Sequence, residues 1–198
     1  MTARIIDTKT KYEGKFLRMD LVVYEDGKGA SHLWEAVQRQ HGAQAVTIVP
    51  ILSSGKVVLV RQFRPPVGKF CVEFPAGLRQ EGELPMDAAL RELEEETGYV
   101  GGVPQRGPEC ASSAGMTGEL GVFVEVPVDD SWLDNLDPVQ KPDDNEEIEV
   151  LVVPLDELYY TLVERWSNGD IIGGSLWAWA AGRESVTRKA LAEGKEVR

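Results

Sequence analysis

Three glutamates near the middle of the chain have a spacing that could bind a metal ion. If residues 86–97 form a helix, with about 100° between successive side chains, then Glu92, Glu95 and Glu96 lie together on one face. Glu92 and Glu96 are four positions apart, and like charges at that spacing cost about 0.2–0.5 kcal/mol of helix stability. Carboxylate oxygens without a nearby His or Cys suit a hard divalent cation, Mg²⁺ or Mn²⁺. The spacing is therefore compatible with a metal site.

The element that must position these acids is an amphipathic helix with an acidic C-terminal end. The stripe that can pack against a core consists of Met86, Ala89, Leu90, Leu93 and Thr97. Acids at 94–96 come shortly before Gly98, a typical residue for ending a helix, and acids there oppose the helix dipole at about 0.3–1 kcal/mol each. Two interpretations follow. The helix has a solvated acidic face, which is the common case, or a bound cation neutralises the charge.

The residues that flank the acids decide between these interpretations. Gly77, Glu83, Arg91 and Gly98 combine with the three glutamates in the order Gly, five residues, Glu, seven residues, Arg-Glu-apolar-any-Glu-Glu-any-Gly. This order resembles the Nudix box, whose final apolar position is occupied here by Tyr99 instead of the usual Leu, Ile or Val. The match favours the metal site.

Segments before the box, together with its last residues, narrow the resemblance to the ADP-ribose and ADP-sugar pyrophosphatase branch of the Nudix hydrolases. The likeness covers roughly residues 12–182 and is strongest over 56–99, where the segments 62–66, 72–78 and 94–99 carry it. It implies the α+β Nudix fold, an α/β/α sandwich with a mixed β-sheet between helices. It also implies Mg²⁺-dependent hydrolysis of ADP-ribose or a related ADP-sugar to AMP and a sugar phosphate. The N-terminal strands are expected to cross to a partner chain in a homodimer.

The resemblance also implies roles for individual residues of the box. The implied metal ligands are the backbone carbonyl of Ala76 and the carboxylates of Glu92 and Glu96. Glu95 is a further candidate, and Arg91, one turn before it, is expected to orient it through a paired hydrogen bond. Glu83 either contributes to the metal shell or favours the positive end of the helix.

A general base is expected in the long acidic segment 129–147, because the reaction needs a carboxylate that reaches the attacking water from outside the metal-binding stripe. The alignment of 148–154 with the family places this base at Glu146, and Glu147 is the near alternative. The other interpretation is a disordered acidic loop, since long structureless segments in compact domains are either functional or disordered.

Substrate binding is expected to begin at two aromatic residues. The implied adenine platform is Trp34 with Phe16, and stacking of a base on an aromatic ring is worth about 1–3 kcal/mol. Alternatively, both rings only pair across strands of a hairpin. The remaining implied contacts are Arg39 and Arg64 near the diphosphate and terminal ribose, Glu73 on the adenine or ribose side, and Gly115 and Met116. Glu73 could instead be an outward-facing strand residue.

The loop 111–116 departs from the family pattern. Many ADP-ribose hydrolases have a proline before the glycine that matches Gly115, and Ala114 stands there in this chain, next to Ser113 where an acid occurs in a relative. Preference for the terminal ribose is therefore left open. The alternatives are hydrolysis of another nucleoside diphosphate derivative, such as GDP-mannose or an oxidised nucleotide, and a non-catalytic nucleotide-sugar sensor, although the intact glutamate set disfavours a sensor.

Composition restricts the class of protein further. The chain has 198 residues, a net charge of −12 and a pI near 4.7, which argue against binding to nucleic acid because that needs a basic surface. Cys71 and Cys110 are too few for a disulfide framework, and no signal peptide or transmembrane run is visible. We expect a cytoplasmic protein with no membrane association, in which an N-terminal β-hairpin appendage (1–40) for dimerisation and base binding precedes a Nudix domain (41–198).

The expected secondary structure follows from apolar periodicity and turn residues. The predicted strands are 16–24, 31–38, 45–52, 56–63, 70–74, 109–112, 120–128 and 148–153, and two further helices are predicted at 156–167 and 175–192.

Overall fold

The N-terminal part of the chain forms a sheet of its own. The computed structural model describes residues 2–40, 44–142 and 147–193. Its first three strands are antiparallel in the order β1-β2-β3, with β1 at Arg4–Glu13, β2 at Leu17–Glu25 and β3 at Ser31–Arg39. The predicted hairpin is thus extended by β1, which the sequence analysis missed. Every residue of β1 is exposed, so its sequence has no buried face to give the apolar alternation of a strand.

The second sheet is mixed, as predicted. Its strands are β4 (Ala45–Leu52), β5 (Lys56–Arg64), β6 (Lys69–Glu73), β7 (Ala76–Leu78), β8 (Gln105–Ala111), β9 (Leu120–Val128), β10 (Ile148–Pro154) and β11 (Ile171–Ile172). The order is β11-β6-β5-β4-β9-β8, and β10 pairs with β5 while β7 pairs with β4. The β4–β9 and β6–β11 pairs are parallel, and the other pairs are antiparallel.

Helices cover both faces of this sheet. Helix α1 (Pro85–Thr97) lies on one face, and α2 (Leu158–Ser167) and α3 (Gly174–Ala192) lie on the other. The alternation of side chains along β4 separates the two cores: Val46 and Ile48 pack with α1, whereas Val49 packs with α2 and α3. The α/β/α sandwich is therefore confirmed. Within the described residues, no helix is long and apolar enough to cross a membrane.

The N-terminal sheet is attached to the second sheet through β3. The indole Nε1 of Trp34 donates a hydrogen bond to the Gly115 carbonyl at 3.1 Å, and the amide of Val37 donates one to the Met116 carbonyl at 2.9 Å. Val37 also forms a parallel bridge with Thr117. The connection between β8 and β9 therefore runs beside β3 in parallel register. The division of the chain into two units at residue 40 stays a prediction.

Candidate active site

Helix α1 presents the acidic face that the sequence predicts, and its bounds agree with the predicted 86–97. Pro85 begins the helix, where its missing N–H costs no hydrogen bond. Ala88, Ala89 and Leu93 are buried against the sheet. Glu96 is buried together with them, whereas Glu92 and Glu95 are only partly buried. The helix ends at Gly98, whose φ of 77° is left-handed and whose amide donates to the Glu94 carbonyl at 2.8 Å.

Gly77 leaves the space that the carboxylate of Glu92 occupies. A Cβ atom added at Gly77 would overlap the carboxyl group of Glu92. The backbone of Gly77 is not left-handed, so the requirement at this position is for space and not for backbone conformation. The first glycine of the box and its first helical acid therefore form one structural unit, although they are far apart in sequence.

Glu96 and Ala76, both predicted to bind metal, are in direct contact. The backbone amide of Ala76 donates a hydrogen bond to Oε2 of Glu96 at 3.0 Å. Glu96 is one of the few buried charged residues, with 4% of its surface exposed. Strand β7 therefore holds the last acid of the box from one side, while its next residue, Gly77, makes room for Glu92.

Arg91 connects the acids of the box. Its guanidinium donates to both carboxylate oxygens of Glu83 at 2.9 and 3.0 Å, and Nη1 donates to Glu92 and Glu95, both at 2.8 Å. These bonds raise the pKa of Arg91, and the Arg91 guanidinium lowers the pKa of the Glu83 carboxyl. The expected hydrogen bond from Arg91 to Glu95 is present, but the bidentate contact of Arg91 is with Glu83.

The arrangement fits a hard cation in its donor chemistry, although the acids are not gathered for one. Within residues 2–40, 44–142 and 147–193, no three His, Cys, Asp or Glu side chains form a group that could hold a metal ion. Within the protein these acids accept hydrogen bonds, Glu92 and Glu95 from Nη1 of Arg91 and Glu96 from the Ala76 amide. Oxygen donors and the cradle at Gly77 nevertheless suit Mg²⁺ or Mn²⁺. Arg91 thus neutralises part of the negative charge of Glu92 and Glu95 in addition to orienting Glu95.

The acidic segment before β10 is anchored on the C-terminal end of α1. The Lys141 amide donates to the Glu95 carbonyl at 2.8 Å, and the Gln140 side chain donates to the Glu96 carbonyl at 2.5 Å. A Cβ atom at Gly98 would overlap the backbone of Val139, so the glycine also permits this close approach. The described part of the segment is therefore not a free linker.

The two candidates for the general base lie at the end of this segment. Glu146 falls outside the described residues. Glu147 is exposed and directly precedes β10. The choice between them stays a prediction.

The predicted base-binding residues do not come together in one chain. Trp34 is 48% exposed and pairs with Val22, whereas Phe16 is 70% exposed and lies in the turn before β2. Phe16 is six residues from Val22 along the chain, which corresponds to about 20 Å of strand. One molecule therefore cannot hold a single base between these two rings. The prediction that Phe16 belongs to a strand is also wrong, because β2 begins at Leu17.

The two candidate arginines are each paired with a carboxylate. Nε of Arg64 donates to Glu73 at 2.7 Å, which links two of the predicted substrate residues. Nε of Arg39 donates to Glu119 at 2.5 Å, a partner that the sequence analysis missed because Glu119 lies far away in the chain. A diphosphate that binds either guanidinium must share it with the carboxylate.

A shallow cavity of about 330 Å³ lies beside Trp34, and Tyr24, Val22 and Ala114 also line it. Gly115 and Met116 reach this region through their contacts with Trp34 and Val37. Trp34 thus has one edge bonded to the connection between β8 and β9, and part of its surface is exposed. Such a ring can still stack on a flat ligand.

Comparison with known proteins identifies the group to which the chain belongs. A sequence profile described as the NUDIX domain matches residues 42–172. The chain belongs to the Nudix family. It is 39% identical over 154 residues to the ADP-sugar pyrophosphatase of Mus musculus, which covers 74% of this chain and 71% of the mouse protein. It is 37% identical over 179 residues to the ADP-ribose pyrophosphatase of Saccharomyces cerevisiae, with 84% and 78% of the two chains covered.

A solved structure of a Nudix-fold relative supports the same architecture. The crystal structure of an ADP compounds hydrolase superposes with a TM-score of 0.65 at 22% identity, and the match covers 83% of this chain and 84% of that one. At this identity the likeness establishes the fold alone. The predicted family and fold are confirmed, and Nudix hydrolases generally use divalent metal ions.

Proposed function

We propose that this Nudix protein hydrolyses the diphosphate of ADP-ribose or a related ADP-sugar, with Mg²⁺ as its metal ion. Two contacts between β7 and α1 carry the proposal. The Glu92 carboxylate packs against Gly77, and Glu96 accepts a hydrogen bond from the Ala76 amide. A helix with no catalytic duty has no need to keep like charges at this spacing. The names of the mouse and yeast relatives support an ADP-sugar as the substrate.

In the proposed reaction, water adds to one phosphorus atom and the bridging P–O bond breaks, which gives AMP and a sugar phosphate. Glu92, Glu96 and the Ala76 carbonyl are the groups that would hold Mg²⁺. When bound, Mg²⁺ supplies charge neutralisation at the diphosphate oxygens and lowers the pKa of the attacking water. Nη1 of Arg91 donates to both Glu92 and Glu95, and its positive charge reduces the repulsion between the two carboxylates before the metal binds.

Glu146 is proposed as the residue that removes a proton from the attacking water, with Glu147 as the alternative. A base in this segment has access to the acids of α1, because Gln140 and Lys141 are bonded to the last carbonyls of that helix. A carboxylate outside the metal-binding stripe also retains a lone pair for the proton.

We also propose that the adenine binds between Trp34 of one chain and Phe16 of a second chain. The distance between the two rings within one chain supports this, since Trp34 pairs with Val22 while Phe16 lies before the first residue of β2. Several large apolar side chains are exposed on the strands and turn of that sheet, as expected for a surface that a partner covers: Ile5, Ile6, Tyr12, Phe16 and Leu33. A homodimer through these strands would complete the base site. Cytoplasmic localisation stays a prediction.

The function can be tested with a panel of purified ADP-ribose, ADP-glucose, GDP-mannose and an oxidised nucleoside triphosphate. We expect Mg²⁺-dependent release of AMP from the ADP-sugars, loss of activity with EDTA, and recovery with Mg²⁺ or Mn²⁺. Glu96→Gln should lower kcat by orders of magnitude, because one carboxylate oxygen is lost from the metal shell. Full activity of Glu96→Gln at saturating Mg²⁺ would refute the metal assignment. Release of GMP alone would favour the GDP-sugar alternative, and binding without turnover would favour a sensor.

A further inference from the structure

The side chain of Gln140 forms hydrogen bonds with two elements of the active site, the helix α1 and the strand β10. Its Nε2 donates to the Glu96 carbonyl at 2.5 Å and to the Ile148 carbonyl at 3.2 Å. Glu96 is the last acid of the box on α1, and Ile148 is the first residue of β10. One side-chain amide therefore bridges the end of the acidic helix and the start of the strand that follows Glu147.

Neighbouring contacts show that this position is built into the fold. The Lys141 amide donates to the Glu95 carbonyl, so the chain at Gln140 runs against the last turn of α1. Gly98 allows that approach, since a Cβ atom there would overlap the Val139 backbone. The terminal carbonyls of a helix lack partners within the helix, and here Gly98, Lys141 and Gln140 supply donors for three successive ones.

We propose that Gln140 is a positioning residue of the active site, which holds Glu96 and the residue Glu147 at the entrance of β10 in a fixed spatial relation. The proposal rests on the proposed function for the catalytic roles of these two regions. Both bonds of the Gln140 side chain go to backbone carbonyls, so its effect on Glu96 and Glu147 is transmitted through the backbone. Misplacing catalytic groups by about 1 Å can reduce turnover by about 100-fold while the substrate still binds.

The residue next to Gln140 provides a matched control. Lys141 donates its backbone amide to Glu95, and its ammonium group pairs with Glu94 at 2.7 Å. Lys141→Ala removes the exposed ion pair but keeps the backbone bond. Gln140→Ala removes both side-chain bonds at the adjacent position. Gln140→Glu keeps the size of the side chain but replaces the donor with an acceptor that faces two carbonyls.

The experiment compares the full-length wild-type protein with these three variants in two measurements. The first is kcat and KM for ADP-ribose with saturating Mg²⁺, and the second is hydrogen exchange of the backbone amide at position 141. For Gln140→Ala and Gln140→Glu we expect kcat to fall by about 10- to 100-fold, with KM within about twofold of the wild-type value. The amide at position 141 should exchange at least about tenfold faster. Lys141→Ala should resemble the wild type in both measurements.

The two measurements together separate positioning from ordinary stabilisation. Faster exchange with unchanged kcat would show that Gln140 only stabilises the segment, and this result overturns the proposal. A lower kcat with unchanged exchange at position 141 also overturns the proposal. In that case the loss of activity would not come from a loosened segment at the end of α1. If Lys141→Ala loses as much activity as Gln140→Ala, the effect is not specific to Gln140 and the proposal is again wrong. If the wild type releases no AMP from ADP-ribose, the proposed function fails, and the exchange rates still report whether Gln140 holds the segment.

Discussion

Replacing Gly77 with alanine tests whether the space beneath Glu92 is needed for catalysis. The added methyl group would occupy the position of the Glu92 carboxylate, so this side chain must rotate away or the strand must shift. Rotation breaks the 2.8 Å hydrogen bond from Arg91 to Glu92, and overpacking of this kind typically costs about 1–3 kcal/mol. For a protein of this size, that corresponds to a Tm lower by about 2–12 °C.

Activity should suffer far more than stability. A ligand of the proposed metal site would be displaced by more than 1 Å, so we expect kcat for ADP-ribose to fall by about 100-fold or more. The affinity for Mn²⁺, measured by electron paramagnetic resonance, should fall as well. Differential scanning calorimetry of the metal-free protein gives the stability change separately.

A second glycine supplies the control for this substitution. A Cβ atom at Gly182 in α3 meets nothing within 4 Å, and its φ is not positive. Gly182→Ala should therefore raise stability by about 0.5–1 kcal/mol through helix propensity and leave kcat unchanged. Wild-type turnover and Mn²⁺ affinity in Gly77→Ala would show that the glycine makes no room for a catalytic carboxylate.

Three further predictions address the base, the dimer and the ion pairs of the box. Glu146→Gln should lower kcat by about 10²–10⁴-fold with little change in KM. If kcat falls in Glu147→Gln and not in Glu146→Gln, the general base is Glu147. If kcat is that of the wild type in both variants, neither residue is the base. Trp34→Ala and Phe16→Ala should each raise KM for ADP-ribose, by a factor that corresponds to about 1–3 kcal/mol. Mixed and refolded together, they should regain a fraction of sites with wild-type KM, because one site of a mixed dimer keeps both rings; no regain would contradict a base site shared between chains. Arg91 lowers the pKa of Glu83 below its ordinary value of 4.5, so this stabilisation is present above pH 4.5 and is lost as the pH falls through the lowered pKa. Urea unfolding between about pH 3 and pH 6 should show a shallower decline for Glu83→Gln than for the wild type, and parallel curves would disprove the linkage.

The parts of the site that depend on local spacing could be predicted from the sequence. The helix at Pro85–Thr97 and the clustering of Glu92, Glu95 and Glu96 follow from a repeat of 3.6 residues, which acts within a few turns. The helix stop at Gly98 follows from the same local pattern. The space at Gly77 could not be derived in this way, because it depends on how β7 approaches α1.

Contacts between distant segments escaped the sequence analysis for the same reason. The bond from Gln140 to Glu96 spans 44 positions, and the bond from Arg39 to Glu119 spans 80. No periodic pattern encodes such pairs, since each is set by the order of strands in the sheets. The separation of Phe16 from Trp34 likewise became visible only with the strand register, and their role in base binding stays a prediction.

The connection between β8 and β9 runs in parallel register beside β3, and this register limits how far the length of the connection can change. Trp34 meets Gly115, Val37 meets Thr117, and Arg39 meets Glu119, so three contacts advance together along the two segments. Inserting or deleting one residue within this stretch would displace every contact beyond it. Changes of side chain, such as the alanine at 114, leave the register intact. Diversification of this enzyme, natural or engineered, is therefore expected to proceed by substitution at constant loop length.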